Sequence, residues 1–118
     1  DEVRAVAGAE ELRAARASVD GTQVAAEVLD YVAAVVRRTR ELPSVALGGS
    51  PRATVHLLGA AKAVARLAGR DFVTPDDVSR MALPVLRHRL VLTPEAELER
   101  YTPESAIRGA LDAVPVPR

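Results

Sequence analysis

A hydroxyl residue followed by proline occurs four times in this chain, at Ser50-Pro51, Thr74-Pro75, Thr93-Pro94 and Thr102-Pro103. No other feature restricts its folding as strongly. The serine or threonine oxygen can accept from an amide of the first helical turn. Proline already has a helical φ and lacks an N–H that this turn would leave unpaired. Each pair therefore predicts a helix start. An acid follows three of them, at Asp76, Glu95 and Glu104, and complements the positive end of the helix dipole. Ser50-Pro51 is followed instead by Arg52. The three Thr-Pro-acid tripeptides have no constant spacing, so they share capping physics rather than an internal repeat.

Between these starts the apolar residues keep helical periods. Ala9 to Ala17 holds strong helix formers with acids ahead of arginines and predicts a short first helix, broken by Ser18 to Thr22, with Thr22 as the next N-cap. Val24, Val28, Tyr31, Val32 and Val35 mark one face of a helix from about Val24 to Arg40. Its basic end, Arg37 to Arg40, reads either as a solvated turn or as a contact with a nucleotide or a neighbouring domain. Pro51 to about Ala68 forms a third helix, closed by Gly69. Leu57, Leu58, Ala61, Val64, Ala65 and Ala68 lie on one side of it, and Arg52, His56, Gly59, Lys62 and Arg66 on the other. Arg70 to Val73 should be an extended connector with Phe72 in the core. Val78, Met81, Ala82, Val85 and Leu86 face inward from the helix after Thr74, with a kink or break near Leu83 imposed by Pro84. Leu90-Val91-Leu92 reads as extended and Thr93 to Arg100 as acidic with one helical turn. Ile107, Ala110, Leu111 and Val114 define a last helix. The expected fold is all-α, a small bundle of about four to five helices with short extended connectors. The 3% aromatic content, with alanine, valine and leucine supplying most of the 48% hydrophobic residues, supports helix over sheet.

Several chemistries are excluded. Cysteine is absent, so disulfides, thiolate metal sites and cysteine nucleophiles are ruled out. Lys plus Arg equals Asp plus Glu at 16 each, which does not suggest a nucleic-acid binder. No apolar run reaches the roughly 18 residues of a membrane span. The phosphate-loop, dinucleotide, zinc-protease and nucleophile-elbow motifs do not occur. His56 and His88 are too few and too far apart to make a metal site, and Asp76 and Asp77 read as first-turn charges rather than a catalytic pair. No catalytic residue and no metal ligand is assigned.

The remaining candidate is Gly48-Gly49-Ser50-Pro51-Arg52, which ends a loop from Glu41 to Ser50 that is long for two bundled helices. The glycines allow close backbone approach, Ser50 and Pro51 begin the helix, and Arg52 stands at its positive end. A cation there is mildly unfavourable unless an anion joins it, and the guanidinium fork suits phosphate oxygens.

These residues, followed by Val73-Thr74-Pro75-Asp76-Asp77-Val78 and Val85-Leu86-Arg87-His88-Arg89-Leu90, resemble the C-terminal lid domain of MoxR-type AAA+ ATPases. Asp30-Tyr31-Val32 and Arg38-Thr39-Arg40 belong to the same resemblance, which runs from about Ala9 to Pro117. It implies that residues 1–8 are a linker from an ATPase core outside this sequence and that 9–118 form the lid. Arg52 would be the sensor-2 residue, near the γ-phosphate of ATP, with Gly49, Ser50 and Pro51 shaping the helix start. ATP and Mg2+ would be bound mainly by the core, and this stretch alone should not hydrolyse ATP. The implied partners are the core of the same chain, neighbouring subunits of a ring oligomer and a client protein, with a von Willebrand A-type protein as a further partner. The client would be remodelled or receive a metal cofactor, in the cytoplasm. Arg87-His88-Arg89 would serve packing or an inter-domain contact. The alternative is a free-standing helical interaction module, or a helix-turn-helix-like nucleic-acid binder using Arg52, His56, Lys62 and Arg66.

Overall fold

The computed structural model describes residues 2–118; Asp1, the first residue of the expected linker, lies outside them. Residues 2–8 are exposed and form no helix or strand. Six helices follow: α1 (Ala9–Asp20), α2 (Ala26–Thr39), α3 (Pro51–Leu67), α4 (Pro75–Leu86), α5 (Pro94–Leu98) and α6 (Pro103–Ala113). Two short strands, β1 (Val45–Leu47) and β2 (Val91–Leu92), lie between them. The all-α class stands, and the helix beyond the four to five expected is α5, the single turn expected after Thr93.

All four hydroxyl-proline pairs begin helices. Ser50, Thr74, Thr93 and Thr102 are N-caps in extended backbone conformation, each accepting from the amide three residues on, with proline at the first helical position. Gly69 has φ of 81° just beyond α3, the left-handed conformation that glycine adopts most readily.

The core is built chiefly by α2, α3, α4 and α6. Val32, Val35, Val36, Leu57, Val78, Leu86 and Ile107 are its largest fully enclosed apolar side chains. Ala53, Leu57, Ala61 and Ala65 recur every four residues on the buried face of α3, and the alanines let α4 pack close. Leu58 and Val64 are half-buried beside this stripe, whereas Ala68, expected on the core side, is exposed beyond the helix end. In β1 and β2 the antiparallel pairs are Val45 with Leu92 and Leu47 with Val91, with an irregularity between Val45 and Leu47. Val45 and Leu92 point into the core while Leu47 and Val91 face solvent.

Three local expectations are corrected. Thr22 does not cap α2, whose N-cap is Ala25 with no side-chain bond. Gln23 instead makes a parallel bridge with Phe72, its amide donating to the Asp71 carbonyl at 2.8 Å and its carbonyl accepting from Val73 at 2.9 Å. This extended pairing holds the chain out of helical conformation until Ala26. The same bridge turns Val73 inward, 4% exposed, and Phe72 outward, 48% exposed, because successive side chains of extended backbone alternate. Phe72 lies under the Arg70 guanidinium, 5.6 Å from the ring centroid. Pro84 does not end its helix, which continues to Leu86. Pro84 and Arg80, whose carbonyl loses the bond, are both exposed, so water can replace the missing donor.

The connector between α3 and α4 is held by an ion pair. Arg70 Nη1 and Nη2 donate to Asp77 Oδ2 and Oδ1 at 2.8 and 2.7 Å, and the Thr74 amide donates to Asp77 Oδ2 at 2.8 Å. Arg70 holds the carboxyl below the usual carboxylate range, reinforced by the Thr74 amide against the opposing effect of burial. Asp77 is thus a first-turn acid with a second, tertiary function, and exposed Asp76 makes no such pair.

Candidate functional site

The start of α3 is assembled by the end of α2. Thr39, the last residue of α2, is fully buried, and its hydroxyl donates to the Val36 carbonyl at 2.6 Å. The same oxygen accepts from the Gly49 amide at 2.9 Å. Arg40 Nη1 donates to the Gly49 carbonyl at 2.8 Å. The loop lies so close to α2 that a Cβ on Gly48 would stand 2.7 Å from the Arg40 amide nitrogen and Cα. A Cβ on Gly49 would meet Val36 Cγ1 at 3.0 Å. The missing side chains therefore make room for the end of α2 and for Arg40, which is the close backbone approach that the two glycines allow.

From that anchored loop Ser50 caps the helix, its Oγ accepting from the Ala53 amide at 3.4 Å, and Pro51 occupies the first helical position. Arg52 follows, exposed and without a hydrogen bond or ion pair among the described residues. No acid occupies this first turn, so neither the dipole nor the guanidinium is neutralised locally.

The basic stripe predicted along α3 divides in two. Lys62 Nζ donates to the Asp20 carbonyl at 3.4 Å and Arg66 Nε to Thr22 Oγ1 at 2.9 Å. These bonds hold the end of α1, a helix with no buried residue of its own. His56 Nδ1, one turn beyond Arg52, is met by Arg89 Nη2. Of the Arg87-His88-Arg89 segment, only Arg89 is half-buried and turned onto α3; Arg87 and His88 are exposed. With Pro51 lacking an N–H and the Ala53 amide taken by Ser50, the arrangement can present the Arg52 guanidinium and its amide, at the positive end of the helix dipole, to an anion. Among the described residues no three His, Cys, Asp or Glu side chains gather where a metal could bind.

Sequence reasoning located Ser50, Pro51 and Arg52, and the structure gathers them with Gly49 at one helix start. It missed the role of Thr39 and placed Arg40 only in a basic turn. The readable signal was a small hydroxyl residue at the end of a helix otherwise faced with valine, ahead of a glycine pair.

The profile of the AAA lid domain matches residues 37–110, from the last turn of α2 into α6, and so includes the whole of this site. The chain belongs to the AAA lid domain family. It is 40% identical over 100 residues to chaperone MoxR1 of Mycobacterium tuberculosis, covering 77% of this chain and 26% of that protein. It is 43% identical over 90 residues to the uncharacterized protein YeaC of Bacillus subtilis, covering 76% of this chain and 28% of that one. The crystal structure of a candidate ATPase from Cytophaga hutchinsonii superimposes with a TM-score of 0.82 at 28% identity, covering 86% of this chain and 34% of that one. This lid domain thus spans about a quarter of the length of those curated relatives. The MoxR-type resemblance of its motifs is upheld by the relatives and by the fold. No helix of the described residues is long and apolar enough to cross a membrane.

Proposed function

We propose that this lid domain acts as the nucleotide-responsive part of a MoxR-type AAA+ ATPase, with Arg52 as its phosphate sensor. The observation that carries this reading is the unpartnered Arg52 guanidinium at an acid-free helix start inside the region matched to the family. The donor set fits a phosphate, because the helix dipole, the Arg52 amide and a planar cation all favour an anion and no carboxylate competes. It does not fit Mg2+, which takes oxygen ligands, so the metal is assigned to the core. ATP, when bound by that core, supplies the phosphoanhydride and the negative charge. The chain's own part is to bring one fixed cation to that charge and to change its orientation when the charge is lost.

In this reading residues 1–8 link the lid to the core, and Gly49, Ser50 and Pro51 set the direction of the helix start. The assembly is a ring of such subunits working in the cytoplasm. A chaperone-like action on a client, by remodelling or by metal-cofactor insertion with a von Willebrand A-type partner, follows from the MoxR likeness. In the full-length chain, Arg52→Ala is expected to lower ATP turnover or its coupling to assembly while leaving the lid folded. Steady-state hydrolysis and nucleotide titration measure this; wild-type values in both would end the sensor assignment.

A further inference from the structure

The end of α2 grips a single residue of the loop that carries Arg52, and it does so from both sides of that residue's backbone. Thr39 binds the Gly49 amide and Arg40 binds the Gly49 carbonyl. The Thr39 side chain is fully buried, and valine would fill the same branched shape with no polar group to satisfy. Packing alone therefore gives no reason for a hydroxyl here. Its donor goes to Val36 and its acceptor to Gly49, so both of its functions are used. The local cap is long by comparison, at 3.4 Å between Ser50 Oγ and the Ala53 amide, so the grip from α2 adds to the burial of Ala53 in placing the first turn of α3. The missing Cβ atoms of Gly48 and Gly49 are what allow the two segments to come this close.

We infer that Thr39 and Arg40 are positioning residues for Arg52. They fix the first turn of α3 against α2, so that the guanidinium is presented in one place instead of swinging with the stretch of residues 48–50 that joins β1 to α3. This rests on the reading of Arg52 as a phosphate sensor, and it adds that the sensor is aimed from another helix. A displacement of about 1 Å at a positioned group can cost a large factor in rate. Replacing Thr39 with valine keeps the volume and leaves the buried Gly49 amide without an acceptor.

The test uses the full-length ATPase with five variants: Thr39→Val, Thr39→Ser, Arg40→Ala, Arg52→Ala and the double variant Thr39→Val with Arg52→Ala. Thr39→Val is expected to reduce ATP turnover about tenfold, the worth of one buried hydrogen bond. The loss should fall in the same parameter, kcat or KM, that Arg52→Ala moves. Thr39→Ser should restore turnover, since it returns the hydroxyl, and the double variant should be no slower than Arg52→Ala alone. An impaired Arg52→Ala beside a fully active Thr39→Val overturns the inference and spares the sensor reading. A double variant slower than either single one overturns it as well, because Thr39 would then act by another route. A silent Arg52→Ala removes the sensor reading and this inference with it. If Thr39→Val does not fold, Arg40→Ala decides through its exposed side chain: wild-type turnover there, or a loss in the parameter that Arg52→Ala leaves unmoved, overturns the inference, and a loss in the parameter that Arg52→Ala moves supports it.

Discussion

Asp77→Asn tests how the connector between α3 and α4 is held. In the native side chain Oδ2 accepts from both Arg70 and Thr74, and Oδ1 accepts a second bond from Arg70. Asparagine offers one oxygen and one amino group. Whichever way it turns, a donor faces either the Arg70 guanidinium or the Thr74 amide. A hydrogen bond to a charged group contributes about 1.5–3 kcal/mol. The carboxylate side chain is only 2% exposed but its partner is 28% exposed, so solvent screens part of the pairing. A loss of about 2.5 kcal/mol is expected, which for a domain of this size lowers Tm by roughly 10 °C. Thermal melts followed by circular dichroism from pH 3 to pH 7 measure it. Arg70 holds the Asp77 carboxyl below its ordinary value of 3.8, so the stability it contributes is fully present above that value and is lost as pH falls through the depressed folded one. The gap between native chain and variant should therefore be constant near neutrality and close toward pH 3. Equal melting temperatures at pH 7, or a gap unchanged at pH 3, would refute the assignment of the ion pair as a stabilising clamp.

Arg66→Ala should loosen the end of α1, because that helix has no fully buried residue and the Arg66 bond to Thr22 just beyond it is one of two side-chain hydrogen bonds that join its end to α3. Faster amide exchange across Ala9–Asp20 and faster tryptic cleavage at Arg13 and Arg16 are expected, with exchange in α4 and α6 unaltered; an α1 as protected as before refutes this. Gly48→Ala places a methyl 2.7 Å from the Arg40 backbone and should cost about 1–3 kcal/mol in urea unfolding. Gly59→Ala, in the middle of α3 with nothing within 4 Å, should instead add about 0.5–1 kcal/mol, and the reverse order would contradict the close approach at Gly48.

What could be read from the sequence depended on how far each element must look for its partner. Ser50, Thr74, Thr93 and Thr102 bond to amides three residues away, so capping chemistry alone located four helix starts. Thr22 looks like the same chemistry. Its outcome was settled by Phe72, whose bridge to Gln23 keeps the intervening backbone extended. Phe72 itself seemed a core residue because it is large and apolar, yet alternation along that bridge gives the buried position to Val73. Strand β1 had no visible signal, since three residues of extended chain become a strand only beside Val91 and Leu92. Of the kink or break expected at Pro84 the break does not occur, for a related reason: whether water can reach the Arg80 carbonyl depends on which side of α4 faces the core.

The site divides along the same line. Arg52 could be picked out because a cation at the second position of a helix conflicts with the dipole, and that conflict is contained in three consecutive residues. The helical wheel also placed His56, Lys62 and Arg66 with it, as if one surface. The structure separates them by use, with the far cations tied to the end of α1 and the near one left open. A stiff helix about 25 Å long joins these two ends. Thr39 and Arg40 hold one end of that rod through Gly49, while Lys62 and Arg66 hold α1 to the other. In the proposed lid, a phosphate that pulls on Arg52 therefore acts against the grip of α2, and any movement that grip allows is carried along α3 to the α1 attachment.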